Sequence, residues 1–501
     1  MKRHIFLVSS IILILASVYG NAYAQEGSLQ HEAEALASDP VFSQGAVGIC
    51  VRTASGKEIA SVNAEKMLLP ASNMKLLTTG AALHKLGSGY RFTTRIGYDG
   101  EIRSGVLHGN LYIIGGGDPT IGSKDSIATP LEQTFGQWHR IICEAGIKRI
   151  EGHIIGDGRW FDGPAEEPTW LWEDLGTYYG TGTTGLMFYE NMMSFSALAG
   201  AKAGDPVDIK PYYPDTPWME FTYTCTTGAE GTGDQLYMFT SDLAPTALIR
   251  GTLGCDKGRK RIDCSNKFPE YTCARYFEQY LKGKGIGCSE GAGDFKLENG
   301  WMENRDCDSM TIIGQTESPE LSRIAFETNH ISNNVFAETL FRTLGKIYGG
   351  SAEYGTGAET LVKVLSKDLG VDTSRGIYIK DGSGLSRGNL ISPDFLCRFL
   401  MAMTQSECFG DYIAGLPRPG GNGSLSYNMK NYPEPLKARI RMKSGSMNGV
   451  RCYSGYILPG NSGDEMLIFS IMVNNCTSPN WKVTPMLDRF IIGLAASGKQ
   501  D

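Results

Sequence analysis

"PASNMKLLTTGAALHKLG", residues 70–87, sets a serine and a lysine three positions apart at the mouth of an apolar run. The run predicts a helix. Leu76, Leu77, Leu83 and Leu86 fall on broad apolar faces, Ala81 and Ala82 allow close packing, and Lys85 and Gly87 close it. Residues three apart share a helix face, so the Lys75 amine can reach the Ser72 hydroxyl. Pro70 and Ala71 put Ser72 in the first turn, where a backbone N–H has no partner within the helix and can face an oxyanion. A serine becomes a nucleophile only when a base takes its proton, and a lysine becomes that base only when burial or a second cation lowers its pKa. Such a pair arises by chance about once or twice in a chain this long. Taken alone, it reads better as an ordinary capped helix.

Working outward, a helical pattern ("LQHEAEALASD", 29–39) and two strand-like runs ("GAVGICVRT", 45–53, and "EIASVNA", 58–64) precede this helix, with "ASGK" as the turn between the strands. The far end of the chain completes the set. Helical segments in 322–349 and 392–406 lead to strands at 438–448, 451–460 and 465–475, then to a last helix at 485–497. Two strands and a helix from one end, with three strands and a helix from the other, make an α+β unit: one antiparallel sheet covered by helices. The middle then reads as an insertion at a surface loop. It carries short strands broken by glycine ("GVLHGNLYIIGGGDPT", "IKRIEGHIIGDG"), a stretch over 195–270 rich in Pro, Thr, Gly and Cys that resembles a small β module, and a helix in 271–287.

The totals agree. At 501 residues the chain exceeds one ordinary core, and roughly two to four domains are expected. Residues 1–24 read as a signal peptide: "MKRH", an apolar "IFLVSSIILILA", and Ala22-Tyr23-Ala24 as the cleavage signal. The alternative, a retained anchor, is disfavoured because the run is short for a bilayer span. The expectation is an exported, periplasmic protein, with which peripheral membrane association is compatible. Loss of Lys2 and Arg3 takes the net charge from −7 to −9, and an acidic chain without basic runs argues against nucleic acid as a partner. No C-x-x-C or H-E-x-x-H spacing exists, which argues against zinc. Export permits disulfides among the twelve cysteines, six of them between Cys225 and Cys307. Cys50, Cys143, Cys397, Cys452 and Cys476 read equally as buried free thiols.

Two more stretches change the reading of Ser72. "HISNNVFAETL" holds Ser332 and Asn334 at the start of a helix, and "ARIRMKSGSMNGV" holds Lys443-Ser444-Gly445-Ser446 in an edge-like strand. Separately, Ser332 is an N-cap and Lys443 an edge-strand charge. Together, S-x-x-K, S-x-N and K-[ST]-G form the signature of penicillin-binding proteins and serine β-lactamases. With "LYIIGGGDPT" (111–120), "DGSGLSRGNLIS" (381–392) and "KSGSMNGVRCYSGY" (443–456), the chain from about 30 to 495 resembles the low-molecular-mass class C penicillin-binding proteins, the D-alanyl-D-alanine carboxypeptidase/endopeptidase family.

The resemblance implies a penicillin-binding/serine β-lactamase-like transpeptidase domain formed by 25–92 and 308–501. Two largely β domains would be inserted in it: one from 93–194 with 266–307, and a small one nested at 195–265. It implies that Ser72 attacks the carbonyl between two D-alanines, that Lys75 takes its proton with Lys443 keeping that amine neutral, and that Ser332 relays a proton to the leaving amine. Asn334 would hold the Lys75 amine and the substrate amide. Lys443 would draw in the terminal carboxylate with the Ser444 and Ser446 hydroxyls, in the Lys443–Gly445 motif, and the N–H groups of Ser72 and Ser446 would form the oxyanion hole. Arg387 and Asp174 would meet the acidic and amino ends of a diamino-acid stem residue. Peptidoglycan stem peptides are the implied substrate and β-lactams the covalent inhibitors, with no cofactor and no metal. The third motif departs from the usual pattern with Ser444 in place of Thr. The run "YYGTGTTGLMFYENMMSF" (178–195) also departs from it while keeping Asn191.

Two other functions are weighed against this one. A serine β-lactamase would turn over a chromogenic cephalosporin rapidly, where a peptidase gives a stoichiometric burst and a long-lived adduct. A non-catalytic cell-wall scaffold would not be labelled by penicillin, and it has no need of an intact nucleophile–base pair.

Overall fold

The computed structural model describes residues 29–297, 310–460 and 464–497. The predicted leader at 1–24 and Cys307 lie outside them. Strands Ala46–Thr53 and Glu58–Val62 from the start of the chain join Ile440–Met447, Val450–Ile457 and Leu467–Asn474 from its end. All neighbours run antiparallel, and Ile440–Met447 is the strand at one edge. The run "LIFSIMVN" is apolar almost throughout because both faces of the sheet are covered. Ile468 and Met472 point into one core, and Phe469, Ile471 and Val473 into the other. Helices Leu29–Ala37 and Asn480–Ala496 close the second face, with Leu36, Phe490, Ile491 and Leu494 in its core. The first face carries Met74–Leu86, Leu321–His330, Asn334–Leu344 and Pro393–Met403, through Leu76, Leu77, Phe336, Leu340, Leu396 and Leu400.

The intervening chain builds its own sheets. One has the strand order Ala292–Asp294, Ile154–Asp157, Leu111–Ile114, Thr93–Tyr98, Thr311–Glu317. Its core packs beneath helices Leu131–Glu144 and Pro269–Gly283, with Phe135, Trp138 and Phe277 in mutual ring contact. A second module comprises Met192–Leu198 between Asp208–Tyr213 and Arg259–Ser265, and Thr246–Gly254 between Glu220–Gly228 and Asp234–Thr240. The structure moves one expected boundary. Residues 311–317 were assigned to the far half of the sheet-and-helix unit, yet they pair antiparallel with Thr93–Tyr98. The insert thus leaves and returns on adjacent strands.

The cysteine expectations also change. Eleven cysteines are described, and all are free thiols. In the insert, Cys225 donates to the Ile249 carbonyl at 3.2 Å and Cys288 to that of Gly152 at 3.0 Å. Cys143 is exposed rather than buried, because Phe135, Trp138 and Ile142 define the inner face of its helix.

Candidate active site

Residues Ala71–Asn73 form a single 3-10 turn leading into the Met74–Leu86 helix, so Ser72 sits just ahead of the helix and Lys75 within its first turn. The turn is tied to the sheet through Asn73. Its buried side chain donates to Ser454 Oγ at 2.8 Å, and Ser454 bonds Ser470 Oγ at 2.9 Å, linking the Ser72 turn to two central strands. Two glycines let other backbone press against it. A Cβ on Gly445 would lie 2.6 Å from the Pro70 carbonyl oxygen and 3.1 Å from Ser72 N, so the edge strand passes directly beside the Ser72 N–H. Gly384 has φ +86°, and a Cβ there would overlap the Ala71 carbonyl. Gly384→Ala is therefore expected to cost about 3 kcal/mol or more, combining a left-handed backbone with a backbone clash. Thermal unfolding should show a fall of several degrees, and an unchanged midpoint would refute the close approach.

Lys75 is fully buried. Its Nζ lies 3.0 Å from Ser72 Oγ, 2.6 Å from Asn334 Oδ1 and 2.8 Å from the Ser383 carbonyl oxygen. The last two can only accept. A neutral amine with two N–H bonds directed at them therefore aims its lone pair at the third partner, the Ser72 hydroxyl. Burial takes this amine from its ordinary 10.5 down to about 7, against the pull of the Glu338 and Asp381 carboxylates, which favour the charged form. The expectation that Lys443 would be the cause is corrected here. Burial is what lowers Lys75, and it is Lys443 that is pushed well below its ordinary value, by burial first and by Lys75 second.

Ser332 links helices Leu321–His330 and Asn334–Leu344 in a left-handed conformation, φ +66°. The cap of the second helix is Asn333 rather than Ser332: its side chain accepts from Phe336 N at 3.1 Å and donates to Glu190 Oε2 at 2.8 Å. That frees the Ser332 hydroxyl, which accepts from Lys443 Nζ at 2.8 Å. Lys443 Nζ also donates to its neighbour's carbonyl, Ser444 O, at 2.8 Å. Asn334 gives its amide oxygen to Lys75 and donates from Nδ2 to the Tyr179 carbonyl at 2.8 Å, so the insert braces the second motif.

Above these groups opens a cleft of about 800 Å³ whose lining includes Ser72, Ser332, Asn334, Ser446, Arg387 and Asp174. Ser444 and Gly445 are not part of that lining. Arg387 donates to the Asn448 carbonyl at 2.8 Å in place of an ion pair. Asp174 accepts from the Tyr179 hydroxyl at 3.1 Å; burial raises its carboxyl, while that hydrogen bond and, more weakly, Arg387 oppose the rise. Sequence reasoning missed Ser383, Glu338, Asp381, Tyr179 and Glu190. Glu338 lies four residues after Asn334 on the same helix face, and Asp381 and Ser383 fall within the run 381–392, but nothing local marks any of them as buried. Among the described residues no cluster could hold a metal, and no helix is long and apolar enough to cross a membrane.

The family model described as D-Ala-D-Ala carboxypeptidase 3 (S13) matches residues 29–487. The chain is 28% identical over 469 residues to the D-alanyl-D-alanine carboxypeptidase of Actinomadura sp. (strain R39), covering 90% of this chain and 82% of that protein. It is 26% identical over 452 residues to penicillin-sensitive carboxypeptidase A of Dictyostelium discoideum, covering 87% and 83%. The crystal structure of penicillin binding protein 4 (dacB) from Haemophilus influenzae has the same fold, with a TM-score of 0.77 at 20% identity over 93% of this chain and 98% of that one. The expected penicillin-binding-protein architecture is therefore the observed one. With its family match running from the first described helix into the last, this chain belongs to the D-Ala-D-Ala carboxypeptidase 3 (S13) family.

Proposed function

We propose that the protein is a serine D-Ala-D-Ala carboxypeptidase/endopeptidase of peptidoglycan stem peptides, working through an acyl-enzyme on Ser72. The observation that carries this is the environment of Lys75 Nζ, held between two acceptors with its lone pair on the Ser72 hydroxyl. Lys75 takes the Ser72 proton as Oγ bonds to the carbonyl carbon between two D-alanines. The N–H groups of Ser72 and of Ser446, on the edge strand, stabilise the oxyanion. The C–N bond then breaks, and the proton that Lys75 took from Ser72 passes through the Ser332 hydroxyl to the leaving amine, which returns Lys75 to its neutral form. Water attacks the ester with Lys75 again as base, and the shortened peptide leaves. The Ser446 hydroxyl, which lines the cleft, and Lys443, held behind Ser332, receive the terminal carboxylate, whose charge favours the ammonium form of Lys443, and Arg387 and Asp174 bind the two ends of a diamino-acid side chain.

In this reading the inserted domains, 93–194 with 266–317 and the nested 195–265, supply one wall of the cleft through Tyr179, Glu190 and Tyr237. Peptidoglycan lies outside the cytoplasm, so the protein is exported to the periplasm, in keeping with the leader predicted at 1–24. β-Lactams acylate Ser72 because they imitate the D-Ala-D-Ala end.

Acylation should depend on pH with a definite sign. At pH 7 an amine of ordinary pKa would be neutral in about one molecule in three thousand, whereas burial of Lys75 brings its midpoint to about 7. Only the neutral form accepts a proton, so the acylation rate is expected to climb through about pH 7 and level off above it. Stopped-flow labelling with a fluorescent penicillin reads this directly, and a rate that falls over that interval would exclude Lys75 as the base. Digestion of monomeric and cross-linked muropeptides, with products identified by mass, tests the activity itself. Loss of one D-alanine marks carboxypeptidase action, and conversion of dimers to monomers marks endopeptidase action. With neither product, the reading fails.

A further inference from the structure

Behind Lys75 lies a buried acid with no part in the scheme above. Glu338 is 1% exposed, one helical turn beyond Asn334 and one before Arg342. Its Oε1 accepts from Ser383 N at 2.7 Å and its Oε2 from Gly382 N at 2.9 Å. The carbonyls of the same two residues face the nucleophile helix: that of Ser383 accepts from Lys75 Nζ at 2.8 Å, and that of Gly382 from Thr78 Oγ1 at 2.7 Å. The Gly382–Ser383 segment is thus a bridge, with its N–H groups on Glu338 and its carbonyls on the helix that carries the base. Asp381 closes the bridge at one end, accepting from the N–H groups of Gly384 at 2.8 Å and Ser386 at 2.6 Å, from Asn389 Nδ2 at 2.7 Å and from Trp170 Nε1 at 2.8 Å. The charged and titratable groups facing Glu338 are Lys75 from the nucleophile helix, Asp381 from this loop, Tyr354 from the helix Tyr354–Lys363, and Arg342 from its own helix.

We propose that Glu338 is the positioning residue of the general base: it clamps Gly382–Ser383 so that the Ser383 carbonyl holds the Lys75 amine on Ser72. This rests on the reading of Ser72 and Lys75 as nucleophile and base. Two influences compete at Lys75. Burial drives the amine neutral, while the carboxylate charges behind it favour the ammonium. Burial and the adjacent Asp381 push Glu338 itself up to about 8. Glu338 therefore keeps a proton in the range where Lys75 gives one up.

The test is the rate at which a fluorescent penicillin acylates the full chain, followed across the acid and neutral range. Glu338→Gln keeps the size of the side chain and one acceptor oxygen but carries no charge. Because Glu338 keeps its own proton through the acid limb, that limb should stay near pH 7, while the amide nitrogen cannot accept from one of the two loop N–H groups and the plateau should fall about tenfold. Glu338→Asp keeps the charge but not the reach to the loop. Its limb should stay in place while the plateau falls about tenfold, because the base is no longer held in line. A folded Glu338→Gln that acylates at the wild-type plateau rate overturns the proposal. So does a Glu338→Asp that acylates at the wild-type rate, which keeps the proposal open to refutation even where the glutamine variant does not fold. Failure of the wild type to be labelled at Ser72 is a separate outcome, and it removes the underlying nucleophile–base reading as well.

Discussion

Ser72→Ala is expected to abolish turnover of D-Ala-D-Ala peptides and labelling by penicillin while leaving the fold intact. Removing the nucleophile of a covalent mechanism lowers kcat by about 10⁴–10⁶, since the rest of the machinery then has nothing to activate. The structural loss is small. The hydroxyl sits at the cleft with a single bond, to Lys75 Nζ, and its turn is anchored by Asn73 instead. Stability should change by no more than about 0.5–1 kcal/mol. The experiment also decides between two serines. Ser332 lies 2.8 Å from Lys443 Nζ, as close a serine–lysine pair as Ser72 and Lys75 at 3.0 Å. Only Ser72 has the edge strand beside its own N–H, where an oxyanion can be held. An acyl adduct that persists on Ser72→Ala, located by peptide mass, would pass the role of nucleophile to Ser332.

The second large effect is expected at Lys75. Lys75→Met removes the base and leaves Asn334 Oδ1 and the Ser383 carbonyl without their shared donor, and a fall in acylation of about 10³–10⁴ is expected. Lys75→Arg is the sharper test. It keeps a cation and donors for the two acceptors, but a guanidinium does not give up its proton at any working pH. If the amine serves as base, the arginine variant should be as slow as the methionine one, and the limb near pH 7 should disappear from both. If the amine serves only as a fixed positive charge, arginine should restore most of the rate. That result would reassign proton abstraction to another group.

Much of this was legible in the residues. The five strands of the central sheet and the Met74–Leu86 helix are written as local patterns, and the edge position of Ile440–Met447 agrees with the charges of Arg441 and Lys443 in that segment. The three short motifs are local too, and their meeting required only that the two ends of the chain share a sheet. What was not legible depends on partners distant in sequence. "TIIGQTE" carries nothing that directs it to Thr93–Tyr98 rather than to the nearer central sheet. Ser332 adopts its left-handed turn in a loop where the neighbouring Asn333 is held by Glu190, an acid far away in the insert. The acids at 338 and 381 look in sequence like any solvated charge. Burial gives them influence over Lys75, and burial is a property of the assembled molecule.

The pairing of Ile49 with Ile471 in the central sheet has a consequence for how the chain comes into being. A strand made near the beginning of synthesis has no neighbour on that side until nearly the last residues emerge. The insert, whose first and last strands pair with each other, is finished well before then and can fold while the catalytic half is still incomplete. Assembly of the nucleophile, its base and the edge strand is thereby deferred to the final stage of translation. A chain truncated before residue 467 lacks the strand that joins its two halves, and it should yield a folded insert with no penicillin-reactive serine.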